Sequence, residues 1–277
     1  MRDAKSGDWR AVKPHLELAN NSVAYTETPD VGAFMTEWLS IYKSMSGERG
    51  MFNRIGAQRK VLRGGRRDHR HDFGVNPCGE IILRSRGLCN LSEAVVRESD
   101  GMAELREKVR LASILGTWQA TQTTFQFVEP DWAANAEEER SLGVSLTGIY
   151  DNAFMRGDAG FGKLARGLHD LRATVVAANR ELSYEIGINP SVATTTVKPS
   201  GTVSQLVNSP SGIHQGHAPY YIRRVSSDNK DPVTQFMADA GIPHEPHASK
   251  PDAMTVFSFP IALSPRTVTR EDVTAIQ

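Results

Sequence analysis

The sequence predicts an α/β fold, and three observations carry that reading. Apolar residues recur at helical spacing over 31–45, 103–127 and 162–186. Short apolar or β-branched stretches at 81–83, 141–149, 191–197 and 255–261 alternate with them. No internal repeat, low-complexity tract or Gly/Ser/Pro linker divides the chain. With 277 residues and 39% hydrophobic content, it is long enough to bury a real core. Lys+Arg and Asp+Glu both number 32, so no net basic charge favours a nucleic-acid partner. No apolar run approaches the roughly 20 residues that span a bilayer, and MRDAKSGDWR lacks the apolar stretch of a secretory signal. Two cysteines exclude a disulfide framework and point to a reducing cytoplasm.

The elements follow in order. Residues 1–30 are polar and read as loop and short strand. Asp30 can cap a helix over 31–45, where Phe34, Trp38, Leu39 and Tyr42 share a face and Gly47 and Gly50 end it. A short helix over 54–62 is closed by Gly64 and Gly65. RRDHRHD (66–72) is either a solvated loop or a basic rim beside an anionic ligand. Pro77 and Gly79 flank Cys78 and predict an exposed turn, followed by strand-like 81–83. A long helix over 103–127 carries Leu105, Val109, Leu111, Leu115 and Trp118. SLGVSLTGI (141–149) is a strand, 162–186 a helix, and the Val/Thr-rich 191–197 a strand. A helix starts beyond PSGTVSQL (199–206), 231–241 is helical, and 255–261 is a strand.

Three segments carry chemistry. In NPCGE, residues two apart project the same way if the turn is extended, so Asn76, Cys78 and Glu80 could share one pocket. That would set a sulfur, a base and an amide around one substrate; a buried loop cysteine is the plain alternative. Cys89 lies eleven residues on. His69, His71, Cys78 and Cys89 could hold zinc, although the short Cys-x2-Cys knuckle is missing, or the two cysteines could form a redox pair. In TTTVKPSGTVSQL (194–206) small residues let backbone N–H groups approach an anion. It is not a P-loop, because no Gly-Lys-Ser/Thr follows, and an ordinary strand-to-helix turn is the alternative. SGIHQGHAPYYIRRV (211–225) offers two histidines, two tyrosines and two arginines. It reads as a loop lining the same pocket, with arginine available to phosphate, or as core tyrosines beside a solvated edge.

Taken together, NPCGEI, LCNLSE, PSGTVSQL and GIH…YYIRRV, in this order, resemble the ribonucleotide reductase large chain. Proline before the cysteine, with RDAKSGDWR, NNS (20–22), SGERGMFNR (46–54) and the cysteine spacing, resembles the adenosylcobalamin-dependent class of monomeric ribonucleoside-triphosphate reductases. The resemblance implies a ten-stranded α/β barrel with a central finger loop over about 73–93, all within one catalytic domain. It implies that Cys78 becomes a thiyl radical and abstracts the ribose 3′-hydrogen. Glu80 would take the 3′-hydroxyl proton, and Asn76 would hydrogen-bond the substrate. Cys89 would be one of two reducing cysteines. Pro199, Ser200, Gly201, Thr202, Val203 and Ser204 would hold the substrate phosphates. Adenosylcobalamin is the implied cofactor, facing a region that begins near 232, and a thioredoxin-like protein the implied reductant. The family's second reducing cysteine and its C-terminal cysteine pair have no match here, and DVTAIQ stops inside a helix that the family continues. The resemblance therefore implies the middle and later part of a barrel, poorly soluble alone or needing a complementary chain. The oxygen-dependent class and a non-catalytic nucleotide-binding remnant are the competing readings.

Overall fold

The computed structural model describes residues 4–5, 7, 9–16, 22–45 and 50–274. Parts of three family-like stretches (RDAKSGDWR, NNS and SGERGMFNR), Gly47 and the terminal 275–277 lie outside the described residues.

The chain alternates helices and short strands, as an α/β sequence should. In order they are α1 (Trp9–Val12), β1 (Val23–Tyr25), α2 (Val31–Ser44), β2 (Met51–Asn53), α3 (Arg54–Gly64), β3 (Gly74–Val75) and β4 (Ile82–Leu83). Then come β5 (Asn90–Val95), α4 (Met102–Gln119), α5 (Asp131–Glu139), β6 (Leu142–Thr147) and α6 (Phe161–Glu185). α7 (Val203–Leu206), β7 (Tyr220–Asp228), α8 (Pro232–Asp239), β8 (His244–Pro246) and β9 (Met254–Ala262) complete it. Among the described residues the pairs β1–β2, β3–β4 and β5–β6 form two-stranded sheets, and β7, β9 and β8 form a three-stranded one. No sheet wider than three strands forms among them.

The caps explain several boundaries. Asp30 accepts from the Ala33 N–H at 3.0 Å and starts α2. Met45, at φ 48°, ends it before Gly47 is reached. Asn53 caps α3 through the Gly56 N–H at 2.8 Å, and Gly65 closes it in the left-handed region. Several expectations need correction, and the helix expected beyond PSGTVSQL lies inside it as α7. α4 stops at Gln119, and 120–127 is turn and irregular chain. The short α5, rich in alanine and glutamate, is a helix that the sequence reading does not include. The 191–197 stretch is extended but forms no named strand; it is tied by Val192 N–H to Glu139 O (3.0 Å) and Leu142 N–H to Ala193 O (2.8 Å).

The residues divide into two compact units. The first comprises Met1–Leu91, Ser113–Gly143 and Ala178–Thr196. Its core beside the hairpin is Ala57, Val61 and fully buried Phe73, with Phe52 and Ile82 packed on them. Burying Phe73 contributes about 1.5–3 kcal/mol. Asn179 Nδ2 donates to Thr117 Oγ1 and Ser191 Oγ, both at 2.9 Å, which satisfies a buried amide. The second unit comprises Ser92–Ala112, Val144–Ala177 and Val197–Gln277. There β7 and β9 pair antiparallel over nine residues, from Tyr220↔Ala262 to Asp228↔Met254. Fully buried Phe257 lies on β9.

Candidate functional site

In the first unit β3 and β4 form a hairpin whose tip is the NPCG turn. Pro77 suits the second position of such a turn, and Gly79 at φ +79° takes a backbone conformation that side chains disfavour. Gly79 N–H closes the turn on Asn76 O at 2.9 Å. Asn76 then uses both ends of its amide. Its Nδ2 donates to Glu80 Oε2 at 2.7 Å, and its Oδ1 accepts the Ile81 N–H at 3.0 Å. Asn76 and Glu80 are thus brought together, and Cys78 stands exposed at the tip between them. A tight turn rather than an extended one produces this arrangement.

The base of the hairpin is clamped. Arg54 Nε donates to Phe73 O at 2.7 Å, and the Arg67 guanidinium lies 5.0 Å over the Phe73 ring. Arg67 also makes two 2.9 Å bonds to Glu139 and one of 2.9 Å to Ile82 O. Its side chain is 6% exposed and that of Glu139 5%, so RRDHRHD contributes a buried ion pair. It is neither wholly solvated nor a basic rim, although Arg70 and Asp68 pair at the surface. Such a pair fixes geometry by bidentate hydrogen bonding.

Cys89 occupies a different environment in the same unit. Burial pushes its thiol up to about 12, outweighing the opposing Ser141 hydrogen bond, and the Glu80 carboxylate adds to the rise. Gly143 on β6 makes room for it. A Cβ there would fall 2.6 Å from Leu91 Cδ2, 3.1 Å from Thr196 Cγ2 and 3.2 Å from Cys89 Sγ. Thr196 Oγ1 donates to Glu80 O at 2.9 Å. Thr196 and Gly143 are the residues that sequence reasoning missed. A glycine inside the apolar SLGV run was the available signal, because it marks close approach in a strand. Both cysteines are free thiols. Among the described residues no group of three or more His, Cys, Asp or Glu side chains is placed to hold a metal. His71 instead meets Arg84 Nη1 at 3.4 Å and the Phe73 ring edge-on at 6.0 Å.

The second unit holds Pro199, Ser200, Gly201, Thr202, Val203 and Ser204. Ser200 is buried at φ +54° and donates from Oγ to Glu93 Oε2 at 3.0 Å. Ser204 Oγ donates to Ser200 O at 2.6 Å, which spends that hydroxyl inside the segment. Gly201 and Thr202 remain exposed at the start of α7, where the first N–H groups lack intrahelical partners. Gly212 packs beneath: its N–H donates to Pro199 O at 3.2 Å, and a Cβ on it would lie 2.2 Å from Lys198 O. Tyr221 Oη donates to Gln205 Oε1 at 2.6 Å. The SGIH…YYIRRV stretch therefore braces PSGTVSQL. It does so partly as strand β7, and Arg224 is committed to an ion pair with Glu245.

The chain is 32% identical over 284 residues to the adenosylcobalamin-dependent ribonucleoside-triphosphate reductase of Lacticaseibacillus paracasei, an alignment covering 92% of this chain and 36% of that protein. It is 31% identical over 278 residues to the like-named protein of Levilactobacillus brevis, covering 89% and 35%. Over most of its length the chain is similar to adenosylcobalamin-dependent ribonucleoside-triphosphate reductases. A solved B12-dependent, class II ribonucleotide reductase aligns with a TM-score of 0.53 and 25% identity, over 71% of this chain and 30% of that one. No protein-family model matches the chain. The chain spans about a third of the length of these reductase relatives. Among the described residues no helix is long and apolar enough to cross a membrane.

Proposed function

We propose that this chain supplies thiyl-radical machinery for reducing ribonucleoside triphosphates to 2′-deoxyribonucleoside triphosphates. The observation that carries the reading is the NPCG hairpin, in which an exposed Cys78 thiol stands between an amide and a carboxylate already hydrogen-bonded to each other. Cys78, as the radical, abstracts the ribose 3′-hydrogen. Glu80 accepts the 3′-hydroxyl proton, which promotes departure of the 2′-hydroxyl as water. Asn76 holds Glu80 and offers its amide to the reacting hydroxyls. Cys89 is one of two reducing thiols. Its raised pKa keeps the proton on sulfur at neutral pH, which suits a group that delivers hydrogen along with electrons. The second thiol comes from elsewhere, because Cys78 and Cys89 are the two cysteines of this sequence.

Adenosylcobalamin is the cofactor named for the relatives, and it supplies radical chemistry through homolysis of its cobalt–carbon bond. Exposure of Cys78 fits a thiol that must be reached from outside the hairpin. Val233 and Phe236, 55% and 72% exposed on α8, fit the start of an apolar cofactor-facing surface over 232–277. The exposed Gly201 and Thr202, with Pro199, Ser200, Val203 and Ser204 shaping the loop, hold the substrate phosphates. In this reading the short sheets belong to a ten-stranded barrel in a cytoplasmic enzyme. A thioredoxin-like protein reduces it, and the segments of the relatives that have no counterpart here complete it.

The test supplies those segments in trans and measures adenosylcobalamin-dependent reduction of a ribonucleoside triphosphate. Turnover should occur and Cys78→Ser should abolish it, together with cobalamin-dependent hydrogen exchange. Turnover with an iron–oxygen partner but not with cobalamin would move the chain to the oxygen-dependent class. Nucleotide binding without turnover in every reconstitution would leave a non-catalytic remnant.

A further inference from the structure

Two residues that bracket α7 hold left-handed backbone, Ser200 at φ +54° and Asn208 at φ +49°. Asparagine visits that region readily; serine is uncommon there and stays only where its surroundings hold it. Ser200 is held twice. Its carbonyl accepts the Ser204 hydroxyl at 2.6 Å, and its own hydroxyl donates to Glu93 Oε2 at 3.0 Å. Backbone bonds anchor the loop on either side of this point. Gly212 N–H donates to Pro199 O at 3.2 Å, and Ser209 N–H to Ser204 O at 3.0 Å. Pro210 O accepts from Gly148 N–H at 2.9 Å and from Thr147 Oγ1 at 3.1 Å. Glu93 stands on β5 in the same compact unit as the loop. Its Oε1 is buried without a partner, so among the described residues the Ser200 bond is the hydrogen bond its side chain makes. Half-buried and singly bonded, the carboxylate adds little to stability. What its bond holds is the Ser200 backbone, which sets the direction of the exposed Gly201 and Thr202 N–H groups.

We infer that Glu93 is a positioning residue for this loop: it locks Ser200 in the left-handed conformation, so that the Gly201 and Thr202 N–H groups are arranged for an anion before one arrives. The inference rests on the reading that places substrate phosphates at Pro199–Ser204. Ordering the loop in advance removes a cost that would otherwise fall on binding. The Ser200 hydroxyl is spent on Glu93 and shapes the loop without contacting phosphate. Glu93 works through geometry and against its own charge, because a carboxylate repels a polyphosphate. Two variants therefore separate geometry from charge. Glu93→Gln keeps an oxygen acceptor and drops the charge; Glu93→Ala drops both.

Hydrogen exchange on the full 277-residue chain, with and without inorganic tripolyphosphate, reads the loop and its ligand together. Without ligand, Glu93→Ala should speed exchange of the Gln205, Leu206 and Val207 amides, which donate to Thr202 O and Val203 O, by roughly tenfold. Glu93→Gln should exchange as the parent does. With tripolyphosphate, protection over 199–207 should saturate in the parent. Glu93→Ala should need roughly tenfold more to reach half-saturation, and Glu93→Gln no more than the parent. Ser200→Ala removes the same bond and should match Glu93→Ala, and the double variant should be no worse than either. If Glu93→Ala fails to fold, Ser200→Ala carries the comparison. In reconstituted turnover the alanine variants should raise KM for the triphosphate and leave kcat within about twofold, a split that a general loss of fold does not give. Unchanged exchange in Glu93→Ala, a Gln variant as impaired as the Ala variant, additive losses in the double variant, or a fall in kcat at constant KM overturns the inference. Protection over 199–207 that neither alanine variant alters also overturns it, while leaving the phosphate reading intact. Faster exchange in Glu93→Ala without any protection of the parent at millimolar tripolyphosphate supports the lock and sinks that reading.

Discussion

Cys78 and Cys89 lie eleven residues apart in one compact unit, and their surroundings are opposite. Cys78 sits at the tip of a proline–glycine turn and is exposed. Cys89 sits against Gly143, and burial raises its pKa to about 12. The first is a thiol that other molecules can reach. The second is a thiol that the fold keeps protonated. Under the proposed function the same functional group takes two tasks, one meeting a radical source and the other holding a proton and electrons until they are needed. Chain geometry sets the difference: a turn projects its middle residue outward, whereas a side chain beside a strand is packed by its neighbours.

The largest test of that contrast is chemical. At pH 8 a thiol with a pKa near 12 is thiolate in about one part in ten thousand, and thiolate is the reactive form. Iodoacetamide should therefore modify Cys78 at least roughly a hundredfold faster than Cys89 in the folded chain. Peptide mapping over time reads the ratio, and equal rates would erase the distinction. The same burial has a pH signature. Because its folded pKa is raised, the protonated Cys89 thiol is favoured by folding. The stability it lends is fully present below pH 9, its ordinary value, and is lost as pH rises through about 12. The loss is at most about 4 kcal/mol. Thermal melts should fall more steeply with pH in this window for the parent chain than for Cys89→Ala.

The clamp beneath the hairpin comes next. Arg67→Ala leaves Glu139 buried without its bidentate partner and should cost about 3–5 kcal/mol by chemical denaturation. A smaller loss would mean that Arg84, whose Nε lies 3.5 Å from Glu139, takes over. Gly143→Ala tests the packing around Cys89. The added methyl collides with Leu91 and crowds Sγ, so about 1–3 kcal/mol of destabilisation is expected, with Cys89 becoming easier to alkylate. Thr196→Val should have the mildest effect, about 1 kcal/mol, by removing one hydrogen bond to Glu80 O. Cys78 reactivity should be unchanged in Thr196→Val, since Thr196 holds the Glu80 backbone and not the tip of the turn.

Much of the fold is legible in the sequence. Asp30, Asn53 and Gly65 delimit helices through local hydrogen bonds and left-handed backbone, which depend only on nearby residues. Helix α6 over Phe161–Glu185 matches its apolar period almost residue for residue. The apolar face of α2 was legible as a helix but not as core: Trp38 is 53% and Tyr42 71% exposed, and Glu37 is its buried residue. Periodicity reports that a face is apolar, not what covers it.

The site divides along the same line. The sequence determined the NPCG turn, the exposure of Cys78 and the amide–carboxylate spacing around it, because a tight turn is fixed by its own proline and glycine. It also determined the resemblance to the reductases, since the motifs stand in the expected order. Tertiary structure alone decided that Arg67 is buried against Glu139, 72 residues away, that Gly143 makes room for Cys89, and that Thr196 reaches Glu80 across 116 residues. Those contacts join residues with no sequence proximity, and their worth depends on desolvation, which exists only once the chain has closed around them.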